Sequence, residues 1–168
     1  MTLGIYPGTF DPITLWHLDI IERSFNFCDK LCIAIGVNSS KRTFFTENER
    51  ELLIEASLIE LGFPQEKFFV CSFKGLLTDF AEEMKADVLI RGIRSVSDFE
   101  YEINLAGINK TLSPGLETVF LPTSPKLSVV SSSMVKEIAK YKCDISGFVT
   151  QSVAKEVIDK FAPIKIGL

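Results

Sequence analysis

The sequence predicts a doubly wound α/β domain, a parallel five-stranded sheet with helices on both faces. Three observations carry this. Short, near-continuous apolar runs alternate with segments of helical period, the pattern of strands buried on both faces. No Gly/Ser-rich or Pro-rich tract divides the chain, and neither an internal repeat nor a low-complexity segment interrupts it. The 168 residues, 46% apolar and 24% charged, fit one domain over residues 1–168 with an ordinary core.

The elements follow in order. LGIYPG (3–8) is the first strand, and Leu18, Ile21 and Phe25 give the i, i+3, i+7 face of the helix after it. LCIAIGV (31–37) is the second strand. Thr46 and Glu49 then form a capping box ahead of a helix whose apolar face is Leu52, Leu53, Ala56 and Ile59. KFFVCSF (67–73) and ADVLIRG (86–92) are the third and fourth strands. Ser97 and Glu100 give a second capping box before Ile103 and Ala106, and LETVFLP (116–122) is the fifth strand. Ser131, Ser132 and Ser133 precede Met134, Val135 and Ile138, so the serine run reads as a helix N-terminus with spare hydroxyls. Val153, Val157 and Phe161 repeat at i+4 in the last helix.

Composition narrows the function. A net charge of −4 argues against a general nucleic-acid binder, so an anionic ligand must meet a local cluster of Lys and Arg. Cys28, Cys32, Cys71 and Cys143 form no C-x-x-C pair, and one histidine cannot complete a usual Cys/His zinc set. No metal site is predicted, and the thiols read as buried and free. No basic segment leads into an apolar signal core, and no stretch reaches about 18 uninterrupted apolar residues. A soluble, cytoplasmic protein without membrane contact is expected. Neither G-x-x-x-x-G-K-[ST] nor G-x-G-x-x-G is present.

Ligands of such sheets bind outside the carboxyl ends of the strands. His17, the only histidine, falls there, near the N-terminus of the first helix, where free N–H groups and the helix dipole favour an anion. Gly8 permits close backbone approach, and Thr9 offers a hydroxyl and an amide in the same turn. Lys41 and Arg42 leave the second strand, and Arg91 and Arg94 the fourth. Arg91 ends the apolar run VLI, where a charge is costly without a partner. Each piece alone has a plain alternative: an idle surface histidine, a solvated Lys–Arg edge, a serine N-cap. Together, two helix N-termini, a His, a Lys and two Arg on one sheet edge suit a polyphosphate, whose chemistry is mostly positioning and charge neutralisation.

YPGTFDPIT..H at the start, SKR..F with F(T)..ER near 40–50, LIRGIRSVSDFEYE (89–102) and SVVSSSMVKE (128–137) resemble bacterial phosphopantetheine adenylyltransferases of the nucleotidylyltransferase superfamily. The likeness runs in order over nearly the whole chain. The first motif marks only the superfamily; the last two are far more specific. The resemblance implies a Rossmann-like domain, a homohexamer, and transfer of AMP from ATP to 4′-phosphopantetheine with Mg²⁺. The products are dephospho-CoA and pyrophosphate, with CoA a feedback ligand. The acceptor phosphate attacks the α-phosphorus directly, in line, without a covalent enzyme intermediate.

Carried onto this sequence, the resemblance makes His17, Lys41, Thr9 and Arg94 the catalytic set. His17 would hydrogen-bond the α-phosphate, and Lys41 would hold the phosphopantetheine phosphate. Thr9 would contact both substrates, Arg91 the pantetheine side, and Leu77 its arm. ATP would further meet Phe10, Gly92, Ile93, Arg94, Glu102 and the run Leu127, Ser128, Val129, Val130, Ser131, Ser132 and Ser133, with Ser132 and Ser133 on the β- and γ-phosphates. One departure stands out. The family's T-x-G-H is Thr14-Leu15-Trp16-His17 here, so an indole stands where a glycine lets the nucleotide lie against bare backbone. It can occlude the ATP site, turn outwards, or stack on a base. Two rival readings accompany the enzyme: another nucleotidylyltransferase of the superfamily, acting on nicotinamide mononucleotide or glycerol phosphate, and a non-catalytic CoA- or phosphopantetheine-binding relative with its ATP site closed by Trp16.

Overall fold

The computed structural model describes residues 1–38, 40 and 42–162. Five strands, β1 (Leu3–Gly8), β2 (Lys30–Gly36), β3 (Phe68–Phe73), β4 (Val88–Ile93) and β5 (Glu117–Pro122), form one sheet in the order β3-β2-β1-β4-β5. Every pairing is parallel. The five apolar runs are these five strands, with ends shifted by at most two residues. The chain winds outwards from β1 to β3, then returns to lay β4 on the other side of β1. The carboxyl ends of β1 and β4 therefore flank the switch point at which such sheets bind ligands.

Alternate residues serve the two faces. Tyr6, Leu31, Ile33, Ile35 and Ile90 pack beneath α1 (Leu15–Ser24), α2 (Glu47–Glu60), α5 (Ser132–Lys140) and α6 (Gln151–Phe161). Ile5, Cys32, Ala34 and Leu89 lie on the opposite face under α3 (Leu77–Glu83). Beside it runs α4 (Val96–Leu112), joined to β5 by an edge-on contact of Phe99 with Phe120, ring centroids 5.8 Å apart.

Three expectations are corrected. The inward face of α2 is Arg50, Leu53, Ile54, Ser57 and Leu58, while Leu52 and Ile59 are exposed. Two polar residues thus stand in the buried stripe. Ser57 can do so because its hydroxyl donates to the Leu53 carbonyl at 2.7 Å and lies 2.8 Å from the Thr150 hydroxyl. Helix α4 is capped by Ser95, whose Oγ accepts the Asp98 N–H at 3.1 Å, and not by Ser97 with Glu100. Two overlapping Ser-x-x-acid frames occur here, and the chain uses the earlier one; α4 then buries none of its residues, Ile103 included. The thiols are free, but only Cys28 and Cys32 are buried; Cys71 is half-buried and Cys143 exposed. Among the described residues no three potential metal ligands converge, and no helix is long and apolar enough to cross a membrane.

Candidate active site

The loop after β1 is built to be held still. A Cβ on Gly8 would stand 2.8 Å from the Phe10 ring, so glycine is needed for that ring to fold back under the strand end. Phe10 adopts φ 49°, the left-handed region, which is uncommon for a bulky side chain. Its ring is buried against Tyr6 and His17, centroids 5.5 and 5.1 Å away. Such a conformation costs on the order of 1–3 kcal/mol and persists only where its surroundings enforce it. Two side chains do so. Arg50, buried in α2, donates from Nη1 to the Thr9 carbonyl at 2.7 Å. Asp11 accepts the N–H groups of Phe44 and Phe45, each at 2.8 Å, and the Lys136 ammonium at 3.0 Å. One loop is thereby tied to α2, to the segment after β2, and to α5.

His17 is the third residue of α1, which Thr14 caps. The Thr14 N–H donates to His17 Nδ1 at 3.0 Å, and the Thr14 hydroxyl lies 2.9 Å from the same nitrogen. A backbone amide can only donate, so Nδ1 is the acceptor and the ring proton sits on Nε2. The imidazole is buried, which excludes the idle surface histidine. Burial first, and the nearby Arg94 cation second, push its pKa down to about 3. His17 is therefore a neutral, oriented N–H donor at physiological pH, standing at a helix N-terminus.

It lines a cavity of about 280 Å³ with Thr9, Trp16, Arg91, Gly92, Glu102 and Ser132 among the walls. Arg91 has the partner its position demands: both carboxylate oxygens of Glu102 take its fork, Nε at 2.6 Å, and Nη1 donates to the Pro7 carbonyl at 3.3 Å. Arg94 donates from Nε to Asp98 at 3.0 Å and from Nη1 to the Val130 carbonyl at 3.4 Å. A second cavity, of about 410 Å³, is lined by Thr9, Gly36, Asn38, Thr43, Arg50 and Phe73, among others. Thr9 belongs to both.

The structure thus gathers Thr9, Phe10, His17, Arg91, Gly92, Glu102 and Ser132 around one cavity. Ile93 and Arg94 lie just beyond it at the end of β4. The serine run is a helix N-terminus, but its hydroxyls are not all spare. Ser131 Oγ accepts the Met134 N–H at 3.1 Å and Ser132 Oγ donates to the Pro12 carbonyl at 2.7 Å. Ser133 is exposed. What α5 offers an anion is chiefly the first-turn amides of Ser132 and Ser133, which have no intrahelical partner. Leu127 closes a 3-10 turn, Ser128 donates to the Pro125 carbonyl at 2.9 Å, Val129 is exposed and Val130 buried. Leu77 begins α3, packed on the second core cluster, and lines neither cavity. Lys41 lies outside the described residues. Trp16 does not turn outwards: its Nε1–H donates to Thr123 Oγ1 at 2.5 Å.

Sequence reasoning missed Arg50, Asp11 and Lys136 as organisers of the site. All three sit in the motifs that carry the resemblance, YPGTFDPIT..H, F(T)..ER and SVVSSSMVKE, and for Arg50 a charge in the apolar stripe of α2 was the signal that could have found it.

Residues 5–138 match the cytidylyltransferase-like family. The phosphopantetheine adenylyltransferase of Lachnoclostridium phytofermentans is 47% identical over 161 residues, covering 96% of each chain. That of Staphylococcus carnosus is 48% identical over 158 residues, covering 94% of this chain and 96% of the other. Among solved structures, Plasmodium falciparum nicotinic acid mononucleotide adenylyltransferase complexed with NaAD superposes with a TM-score of 0.66 at 16% identity, covering 95% of this chain and 93% of that one. A bifunctional NMN adenylyltransferase/ADP ribose pyrophosphatase from Francisella tularensis gives 0.72 at 12% identity, over 94% of this chain and 49% of that one. At such identities these two likenesses speak for the fold alone. The full-length likeness to the curated relatives settles the family: the chain belongs to the phosphopantetheine adenylyltransferases, within the cytidylyltransferase-like group.

Proposed function

We propose that this chain transfers the adenylyl group of ATP to 4′-phosphopantetheine, giving dephospho-CoA and pyrophosphate for coenzyme A synthesis. The observation that carries the mechanism is His17, a neutral imidazole with its proton on Nε2, set at a helix N-terminus beside Arg91. In this reading the nucleotide takes the cavity at β4, the acceptor takes the cavity at β2 and β3, and their phosphates meet at Thr9.

An oxygen of the acceptor phosphate forms a bond to the α-phosphorus as the bond to the β-phosphate bridge breaks, and pyrophosphate leaves. The attacking oxygen is already anionic, so no base has to remove a proton. That agrees with a histidine whose pKa of about 3 makes it a poor base and a good fixed donor. His17 Nε2–H donates to a non-bridging α-oxygen as charge grows there. Lys41 holds the acceptor phosphate, Arg91 reaches the acceptor from β4 across the seam at Thr9, and Leu77, two residues past the Gly75 wall, meets the pantetheine arm beyond the cavity itself. Phe10, Gly92, Ile93, Arg94, Glu102 and the run 127–133 hold ATP, with the amides of Ser132 and Ser133 on the departing phosphates.

Magnesium would be carried in by ATP rather than kept by the protein. Glu102 is committed to Arg91, and Asp11 to two amides and Lys136. Such a donor set fits an ion held mainly by phosphate oxygens and water rather than by a protein cage. When bound, the ion neutralises charge on the leaving pyrophosphate. The assembly we infer is a cytoplasmic homohexamer. It is supported by α4, which exposes Phe99, Tyr101, Ile103, Ile108 and Leu112 and buries nothing within the protomer. CoA, which carries the same pantetheine arm as the acceptor, is the feedback ligand.

Pyrophosphate release from ATP and 4′-phosphopantetheine with Mg²⁺ tests the function. Turnover is expected, and His17→Ala should lower kcat by about 10²–10³, the loss typical of one transition-state donor. Silence with phosphopantetheine but turnover with nicotinamide mononucleotide or glycerol phosphate would reassign the acceptor.

A further inference from the structure

The sole tryptophan occupies the second position of α1, on the wall of the nucleotide-side cavity. Four contacts fasten its indole: one is to the neighbouring His17 ring, centroids 4.5 Å apart, and three reach across to the sheet edge. Nε1–H donates to Thr123 Oγ1 at 2.5 Å. The Arg94 guanidinium carbon stands 4.5 Å from the ring centroid, within cation–π range. The ring edge rests on Gly92, where a Cβ would come within 3.0 Å of Cζ2. Thr123 is itself fixed, its N–H donating to the Ile93 carbonyl at 2.8 Å. All these groups lie at the carboxyl ends of β4 and β5, beside the switch point.

A flat bicycle, with a ring-edge N–H on a hydroxyl, a face on a guanidinium and an edge on bare glycine backbone, makes the contacts a purine would make with these same groups. The open cavity beside it, about 280 Å³, falls just below the roughly 300–1,000 Å³ of ordinary small-molecule sites. The indole forms one of its walls.

We propose that Trp16 is the resident occupant of the nucleobase cleft and thereby sets the affinity for ATP: the indole leaves Thr123, Arg94 and Gly92 as adenine enters. This rests on ATP binding at this edge, as in the function above. The helix itself does not block the movement. Trp16 lies in the first turn of α1, where no preceding turn restricts its χ1 rotamers, and its side chain is only half-buried. Arg94 stays anchored on Asp98, so the face the indole gives up is held ready for the base. A stacking platform would behave oppositely, since ATP would then gain from the indole.

The test uses the intact chain, Trp16→Ala and Thr123→Val. KM values come from pyrophosphate release, and binding from an ATP analogue with a methylene α–β bridge. Trp16→Ala should lower the KM for ATP about tenfold, equivalent to about 1.4 kcal/mol, leaving the KM for phosphopantetheine where it was. Thr123→Val, which takes the hydroxyl from indole and base alike, should change the KM for ATP far less than Trp16→Ala does, and should move indole emission in the free protein to longer wavelength. In the unaltered chain the analogue should cause that same emission shift. A raised KM for ATP in Trp16→Ala, or indole emission unmoved at saturating analogue, overturns the proposal. Failure of the underlying site shows differently, as turnover indifferent to His17→Ala or as an analogue that binds none of the three proteins, and it removes the proposal too.

Discussion

Taking this protein from about pH 7.5 to about pH 5 should cost about 2 kcal/mol of stability through His17 alone. The imidazole has an ordinary pKa of 6.5 in the unfolded chain and about 3 in the folded one. Between those values the unfolded state takes up a proton that the folded state refuses. The contribution is therefore fully present above pH 6.5 and lost as the pH falls, by up to about 1.4 kcal/mol for each pH unit. His17 is the only histidine, so His17→Gln removes the effect completely. Carboxylates act in a separate, lower window. Glu49, held below the ordinary carboxylate range by its bond from Lys160, keeps its contribution until the pH falls below about 4.5. The assay is urea unfolding of both proteins at the two pH values, with proton NMR of the single imidazole alongside. The unaltered chain should lose about 2 kcal/mol more than His17→Gln, and its folded-state imidazole should not titrate above pH 5. Equal losses in the two proteins, or a folded-state midpoint near 6.5, would refute the buried neutral donor.

Two further outcomes follow from the loop and from the Arg91 clamp. Asp11→Asn keeps one acceptor oxygen but loses an amide bond and the Lys136 pair, so urea unfolding should show a loss of about 2 kcal/mol, and the KM for phosphopantetheine should rise as residues 42–45 loosen. Glu102→Gln presents an NH₂ to the Arg91 fork in place of an oxygen, which should free Arg91 and lower kcat/KM about tenfold, with unfolding changed by less than about 1 kcal/mol.

The strands were legible because each is buried on both faces and so reads as an unbroken apolar run. The N-termini of α1 and α5 were legible because a helical period starts just beyond each, behind the serine run in the case of α5. The frame of the α4 cap was not, since Ser95 and Ser97 each stand three residues before an acid and local chemistry does not rank them. The face of α2 was misread because apolar content alone assigns Leu52 inwards, whereas Arg50 and Ser57 take inner positions that only tertiary hydrogen bonds make tolerable. Arg91 was flagged by its cost and Glu102 by its motif, but no spacing announced that they pair across 11 residues. Asp11 escaped for a related reason. Its three partners lie 33, 34 and 125 residues away, and nothing local records them.

Strand β1 runs between β2 and β4, and neighbouring strands lie about 4.8 Å apart, so its two flanks stand roughly 10 Å from each other. That is the breadth of two phosphates in contact. The loop leaving β1 is thus a seam between two half-sites, one raised on β2, β3 and α2, the other on β4, β5 and α5. Thr9 lines the cavity on each flank, so a change confined to one flank leaves the seam in place.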